Sequence, residues 1–339
     1  MRYIARELET YVAEAVKVSP IVITGAGGYI GAALARRLAG EGRPLRLVSR
    51  PSSRAVAPGG ADIEVIHADL ADETVWSRLL HGATAVVHLS ARTDLRAAEA
   101  DPAGDEALNI APVKALVRAA ANVDVPPTVV FASTATIFGP QHANPADERT
   151  PDNPYSVYDR HKVACETLLC EATAAGGLRA CTLRLSNVFG PGGGSVNSNR
   201  GILNVMLRRA LNGEPLTIYG EGAYVRDFIH LDDVVDAFAR AVDAGPDVCD
   251  GSHYVIATGR GTSLAEAYRL IAAAAEAVTG RRVDIRHVPE PADLHPIERR
   301  NFVGDSSLYQ RRSGWRPRIA LPEGIGRFFA GESEQRAAG

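Results

Sequence analysis

The segment 21–24 (IVIT) runs straight into Gly25-Ala26-Gly27-Gly28-Tyr29-Ile30-Gly31, and the residues after it carry helical spacing through Leu38. No other feature constrains the chain as much. Glycines at 25, 28 and 31 let the backbone turn tightly, approach a ligand closely, and pack the new helix on the strand. The first turn of that helix offers unpaired N–H groups, which suit a pyrophosphate. A glycine triplet alone is a weak signal. Between a strand and a helix, at the start of a domain, it points to a dinucleotide held by Gly25, Gly28, Tyr29, Ile30 and Gly31.

The chain then alternates short apolar runs with helical stretches. Strands are expected at 45–49, 64–68, 85–90, 128–133 and 180–185, and helices at 110–121 and 157–174. Near-continuous apolar strands separated by helices predict an α/β fold with a doubly wound parallel sheet. At 190–194 (GPGGG) the pattern changes. A length of 339 residues accommodates a second lobe. Residues 1–189, with about 226–258, are expected to form the dinucleotide-binding domain. Residues 190–225 and 259–339 are expected to form a smaller α/β substrate-binding lobe with a loop-rich tail. Ile4, Leu8, Tyr11, Val12 and Ala15 recur at helical spacing within 1–18, which suits a short amphipathic helix or a frayed tail.

The chemistry is concentrated in Tyr158-Asp159-Arg160-His161-Lys162. Residues i and i+4 share a helix face. A phenol of pKa near 10 is a poor acid–base group at neutral pH, and a neighbouring ammonium lowers that value. Reaching about 7 takes roughly 4 kcal/mol. Only three lysines occur in the chain (Lys17, Lys114 and Lys162), so one at this offset is informative. His161 and Arg160 are read as solvated. Thr134, supported by Ser133, follows the strand at 128–133 and is expected to orient the substrate oxygen that Tyr158 protonates.

At the end of the second strand an acid would bind the ribose hydroxyls of NAD. Ser49 stands there, followed by Arg50, Ser53 and Arg54. Hydroxyls and guanidiniums suit a 2′-phosphate, so NADP(H) is favoured over NAD. Asp69 and Leu70 are expected at the adenine edge, and Leu89, Ser90 and Ala91 along the pyrophosphate and ribose.

A formal net charge of −3 argues against nucleic acid and anionic membrane as partners. No run of 18 apolar residues predicts a membrane span, and residues 1–18 lack a secretory h-region, so a cytoplasmic protein is expected. Four cysteines without CxxC spacing read as reduced thiols. Nine histidines without HExxH or HxxxH spacing predict no metal.

Together these residues resemble the extended short-chain dehydrogenase/reductase family, from about Pro20 to Phe329. The resemblance also covers 183–192 (LRLSNVFGPG) and 224–234 (YVRDFIHLDDV). It implies a Rossmann domain, a nucleotide-sugar substrate and a homodimer through the helices at 110–121 and 157–174. It further implies that Asn187 contacts the sugar phosphate, that Arg226 grips the diphosphate, and that Arg200 and Tyr219 complete the nucleotide pocket. The dehydratases of the family carry Asp-Glu after the catalytic Thr, where this chain has Ala135-Thr136. The 4-epimerases usually keep the ribose acid that Ser49 replaces, and the segments 158–162 (YDRHK) and 200–211 are similar to 4-ketoreductases. The implied activity is NADPH-dependent reduction of a nucleotide-linked, TDP in the first instance, 4-keto-6-deoxyhexose. The alternative is an NAD-dependent sugar-nucleotide 4-epimerase, to which RDFIHLDDVV is closer.

Overall fold

The computed structural model describes residues 19–50, 57–59, 62–140, 143–192 and 201–337. The helix or tail read within 1–18 lies outside these. In chain order the elements are β1 (Ile21–Thr24), α1 (Tyr29–Gly40), β2 (Leu45–Ser49), β3 (Ile63–His67), α2 (Glu73–Leu80), β4 (Ala85–His88), α3 (Leu95–Ala100), α4 (Pro102–Asn109), α5 (Ala111–Ala120) and β5 (Thr128–Thr134). Then come α6 (Val157–Ala174), β6 (Arg179–Leu185), β7 (Asn187–Phe189), α7 (Ile202–Leu211), β8 (Leu216–Tyr219), β9 (Val225–His230), α8 (Leu231–Ala244) and β10 (His253–Ile256). The last are β11 (Gly261–Ser263), α9 (Leu264–Thr279), β12 (Ile285–Val288), α10 (Ser307–Ser313) and α11 (Leu321–Ala337).

Seven strands form one parallel sheet in the order β10-β6-β5-β4-β1-β2-β3. Side chains alternate along each strand. Ile21 and Ile23 enter one core, with Leu34, Leu38 and Phe238. Val22, between them, enters the other, with Trp76, Leu116 and Leu169. Both faces are therefore covered, as the apolar strands predicted. Strand order reverses at β1, whose neighbours are β2 and β4, and an open α/β sheet forms its ligand crevice at such a point. A third core, including Leu207, Ile218, Phe228, Tyr268, Ile271 and Phe328, fills the second lobe.

The helix expected at 110–121 is present as α5, preceded by two short helices, because Asp94 and Asp101 cap new starts and Pro102 and Pro112 open the next helices. Two sequence expectations need correction. The tail is not mainly loop. Pro322 occupies the first turn of α11, where no N–H is required. Residues 307–315, expected in the second lobe, pack into the first: Tyr309 OH donates to the Ala237 carbonyl (2.6 Å) and Trp315 Nε1 to that of Asp233 (2.9 Å). His230 caps α8, its side chain accepting from the Asp232 N–H. Asp233 instead accepts from the N–H groups of Arg318 and Ile319.

Candidate active site

The crevice at the switch point is made by backbone meeting backbone. Gly25 has φ +65°, and a Cβ there would lie 2.9 Å from the Leu89 carbonyl carbon and the Ser90 nitrogen. A Cβ on Gly31 would stand 2.2 Å from the Gly25 oxygen. Thr24 locks the two strand ends. Its Oγ1 accepts from the N–H groups of Leu89 (3.1 Å) and Ser90 (3.2 Å) and bonds His88 Nδ1 (3.0 Å). Gly25, Gly28, Tyr29, Ile30 and Gly31 line one wall, and Leu89, Ser90, Ala91, Arg92 and Thr93 another. This glycine cradle, open at a helix N-terminus and reaching Lys162 at its far end, fits a nicotinamide dinucleotide.

The far end is set by α6. Ser156 and Asp159 form a reciprocal capping box: Ser156 Oγ accepts from the Asp159 N–H (3.0 Å) and Asp159 Oδ2 from the Ser156 N–H (3.1 Å). The other Asp159 oxygen accepts from Thr136 Oγ1, which lies 2.9 Å from Thr134 Oγ1. This chain ties the turn after β5 to the first turn of α6. Tyr158 and Lys162, one turn apart and both buried, line the crevice. Lys162 Nζ donates to the Ala132 carbonyl (2.7 Å), sits 4.4 Å over the Phe131 ring and lies 5.8 Å from the centre of the Tyr158 ring. Burial pushes the ammonium pKa down, while Cys165, Glu166 and Asp105 pull it back up. Ser133 Oγ is buried without a hydrogen-bond partner among the described residues, and Ser133 lines the crevice. Thr134 is not in the lining. Its hydroxyl caps the short 3-10 turn 135–138 by accepting from the Thr136 N–H.

At the opposite end Ser49 and Arg50 line the crevice, and Ser49 Oγ bonds His67 Nδ1 (2.9 Å) from the end of β3. Ser53, Arg54 and Arg200 lie outside the described residues. Asp69 and Leu70 are not among the lining residues. Asp69 Oδ1 accepts from the Ala71 N–H, and Leu70 is a core residue whose carbonyl accepts from Trp76 Nε1.

In the second lobe Tyr219 stands exposed at the end of β8. Arg226 is buried and donates to the carbonyls of Val225, Glu298 and Arg300. Burial and the charge of Arg300 push its pKa down to about 10. Sequence reading missed Arg300. This buried guanidinium reaches Asn187 Oδ1 (3.4 Å) and leaves its Nε without a partner among the described residues. Two crowded, desolvated guanidiniums beside an amide are a site that an anion would relieve. The double Arg of 299–300 was the available signal, but nothing local distinguishes it in an Arg-rich chain. His161, expected in solvent, is mostly buried and paired with Asp105 (2.7 Å). Arg160 is exposed, as expected.

A family model described as the NAD dependent epimerase/dehydratase family matches residues 21–257. A UDP-glucose 4-epimerase from Mycolicibacterium smegmatis is 30% identical over 326 residues, covering 92% of this chain and 99% of that protein. A GDP-6-deoxy-D-mannose reductase from Pseudomonas aeruginosa is 24% identical, covering 90% and 94%. The crystal structure of a UDP-glucose 4-epimerase from Stenotrophomonas maltophila, with bound NAD and formylated UDP-arabinopyranose, superposes with a TM-score of 0.82 at 25% identity, covering 95% of this chain and 100% of that one. Among the described residues no helix is long and apolar enough to cross a membrane.

Proposed function

This chain belongs to the NAD dependent epimerase/dehydratase family, and from that premise we propose that it is a 4-epimerase of a nucleoside-diphosphate sugar. Its relatives act on nucleotide sugars as epimerases, dehydratases and a reductase. The observation that carries the reading is the shared crevice of Tyr158, Lys162 and Ser133 with the glycine cradle, in a chain alike over nearly its whole length to a 4-epimerase. A bound nicotinamide dinucleotide supplies the hydride acceptor and donor. Tyr158 removes the proton from the C4 hydroxyl and later returns it. Lys162, held against the Ala132 carbonyl, favours the phenolate. Ser133 presents to the reacting oxygen a hydroxyl that has no partner among the described residues. Arg226, Arg300 and Asn187 anchor the diphosphate while the sugar presents either face. Ala135 and Thr136 occupy the places of the dehydratase acid pair, and Thr136 bonds Asp159, so elimination of water is not supported.

The test is incubation of the protein with UDP- and TDP-hexoses in the absence of added reductant, with chromatography of the C4 epimers. Interconversion to a constant ratio is expected. A second reading, the NADPH-dependent 4-ketoreductase expected from sequence, is favoured by one observation: Ser49, bonded to His67, replaces the ribose-binding acid. Under it, reduced-nicotinamide absorbance falls in step with the amount of 4-keto-6-deoxy sugar nucleotide added, and unoxidised sugars do not interconvert. Arg50 bears on the cofactor separately. If it meets a 2′-phosphate, Arg50→Ala weakens NADPH binding about tenfold and leaves NADH binding unchanged in fluorescence titrations. Equal losses for the two cofactors would remove that role.

A further inference from the structure

Asp105 on α4 has no part in the mechanism above, yet donors from three elements converge on its fully buried carboxylate. Arg92 Nε, from the loop after β4, lies 2.9 Å from Oδ1. His161 Nδ1, on α6, lies 2.7 Å from Oδ2, and Asn109 Nδ2 lies 2.9 Å from the same oxygen. Asn109 closes the cluster by accepting from the Arg92 N–H (2.8 Å) and donating to the Arg92 carbonyl (3.0 Å). A buried carboxylate is tolerated when its charge is matched and its lone pairs are filled. Here the matching groups are a residue lining the dinucleotide crevice and the residue immediately before Lys162.

Taking Lys162 in the role given to it above, we propose that Asp105 is its positioning residue: the carboxylate clamps the Arg92 loop to α6 and places a negative charge beside the helix turn that carries the lysine. The groups facing Lys162 support this. From β5 come the Ala132 carbonyl and the Phe131 ring, and from β4 comes His88, which burial keeps neutral. From α6 itself come Tyr158, Cys165 and Glu166. Burial pushes the Cys165 thiol up to about 12, so it is uncharged. Glu166, paired with Arg184 (2.6 Å), and Asp105 are the two acids that favour the ammonium.

The chain's three lysines make this measurable without any sugar nucleotide. In protein carrying isotope-labelled lysine, NMR shows three side-chain signals, and that of Lys162 is identified by its loss in Lys162→Arg. Asp105→Asn removes this negative charge and leaves Arg92 with Asp101 (3.3 Å) as its one acid among the described residues, so the Lys162 midpoint is expected to fall by about one pH unit. Arg92→Gln removes the cation and leaves Asp105 held, among the described residues, by His161 and Asn109 alone, so the midpoint is expected to rise. General loosening would move both the same way. Unchanged midpoints, shifts of one sign, or a Lys162 signal that never titrates before unfolding would overturn the proposal. Should Asp105→Asn not fold, Arg92→Gln decides alone, a midpoint that fails to rise counting against the proposal. Failure of the epimerase reading would appear only in the sugar-nucleotide assay and would leave these midpoints as they are.

Discussion

Tyr158→Phe is expected to lower kcat about a thousandfold, with KM for the sugar nucleotide nearly unchanged. The change removes one hydroxyl and keeps the ring, which packs with Leu95, Ala98 and Val157, so folding is spared. What is lost is the only group in the proposed mechanism that takes and returns the C4 proton. An interaction used in the transition state and not in binding shows itself as a fall in kcat and kcat/KM together. Steady-state rates, a thermal melt and dinucleotide titration separate the outcomes. A variant that keeps a tenth of the activity would move the acid–base role away from Tyr158. Lys162→Met is expected to be similarly damaging, because it also strands the Ala132 carbonyl.

The second large effect is expected at Gly31. A methyl group there meets the Gly25 oxygen at 2.2 Å, the Gly25 carbonyl carbon at 2.9 Å and the Ala26 Cα at 3.0 Å, all of them backbone. No rotamer relieves that contact, so the turn must open. Gly31→Ala is expected to cost about 2–4 kcal/mol of stability and to weaken dinucleotide binding by more than about a hundredfold, each 1.4 kcal/mol being a factor of ten. Gly40→Ala is the control. It lies on the same helix with nothing within 4 Å of the added carbon, and is expected to be neutral or slightly stabilising. Denaturant melts and binding titrations on the two variants check the contrast. Equal behaviour would mean that the cradle tolerates a side chain and that its glycines are incidental.

What could be read in advance follows the range of the interaction. β1, the start of α1 and both ends of α6 were legible because strand residues, glycines and periodicity are local signals. The Tyr158–Lys162 pair was legible because a helix fixes its spacing. The helix at 110–121 was legible, whereas the two short helices before it were not read, because Asp and Pro at 101–102 can end a helix or start one. Leu70 was assigned to the crevice by its neighbours in sequence, whereas packing on Trp76 takes it into the core. The pairing of Arg300 with Asn187, 113 residues apart, and of Asp105 with His161, 56 apart, has no local trace at all. In so Arg-rich a chain, a cation held by the fold looks the same as a solvated one until its partners are known.

The return of residues 307–315 to the first lobe has an evolutionary corollary. The backbone passes back and forth between the lobes, and its last helix ends in the second, with Phe328 in that core. No single break point yields two self-contained halves. A substrate lobe of this kind cannot be acquired or exchanged as a cassette by recombination. New sugar preferences have to arise by substitution in place, under the constraint that Trp315 and Tyr309 stay docked on the sheet that serves the cofactor.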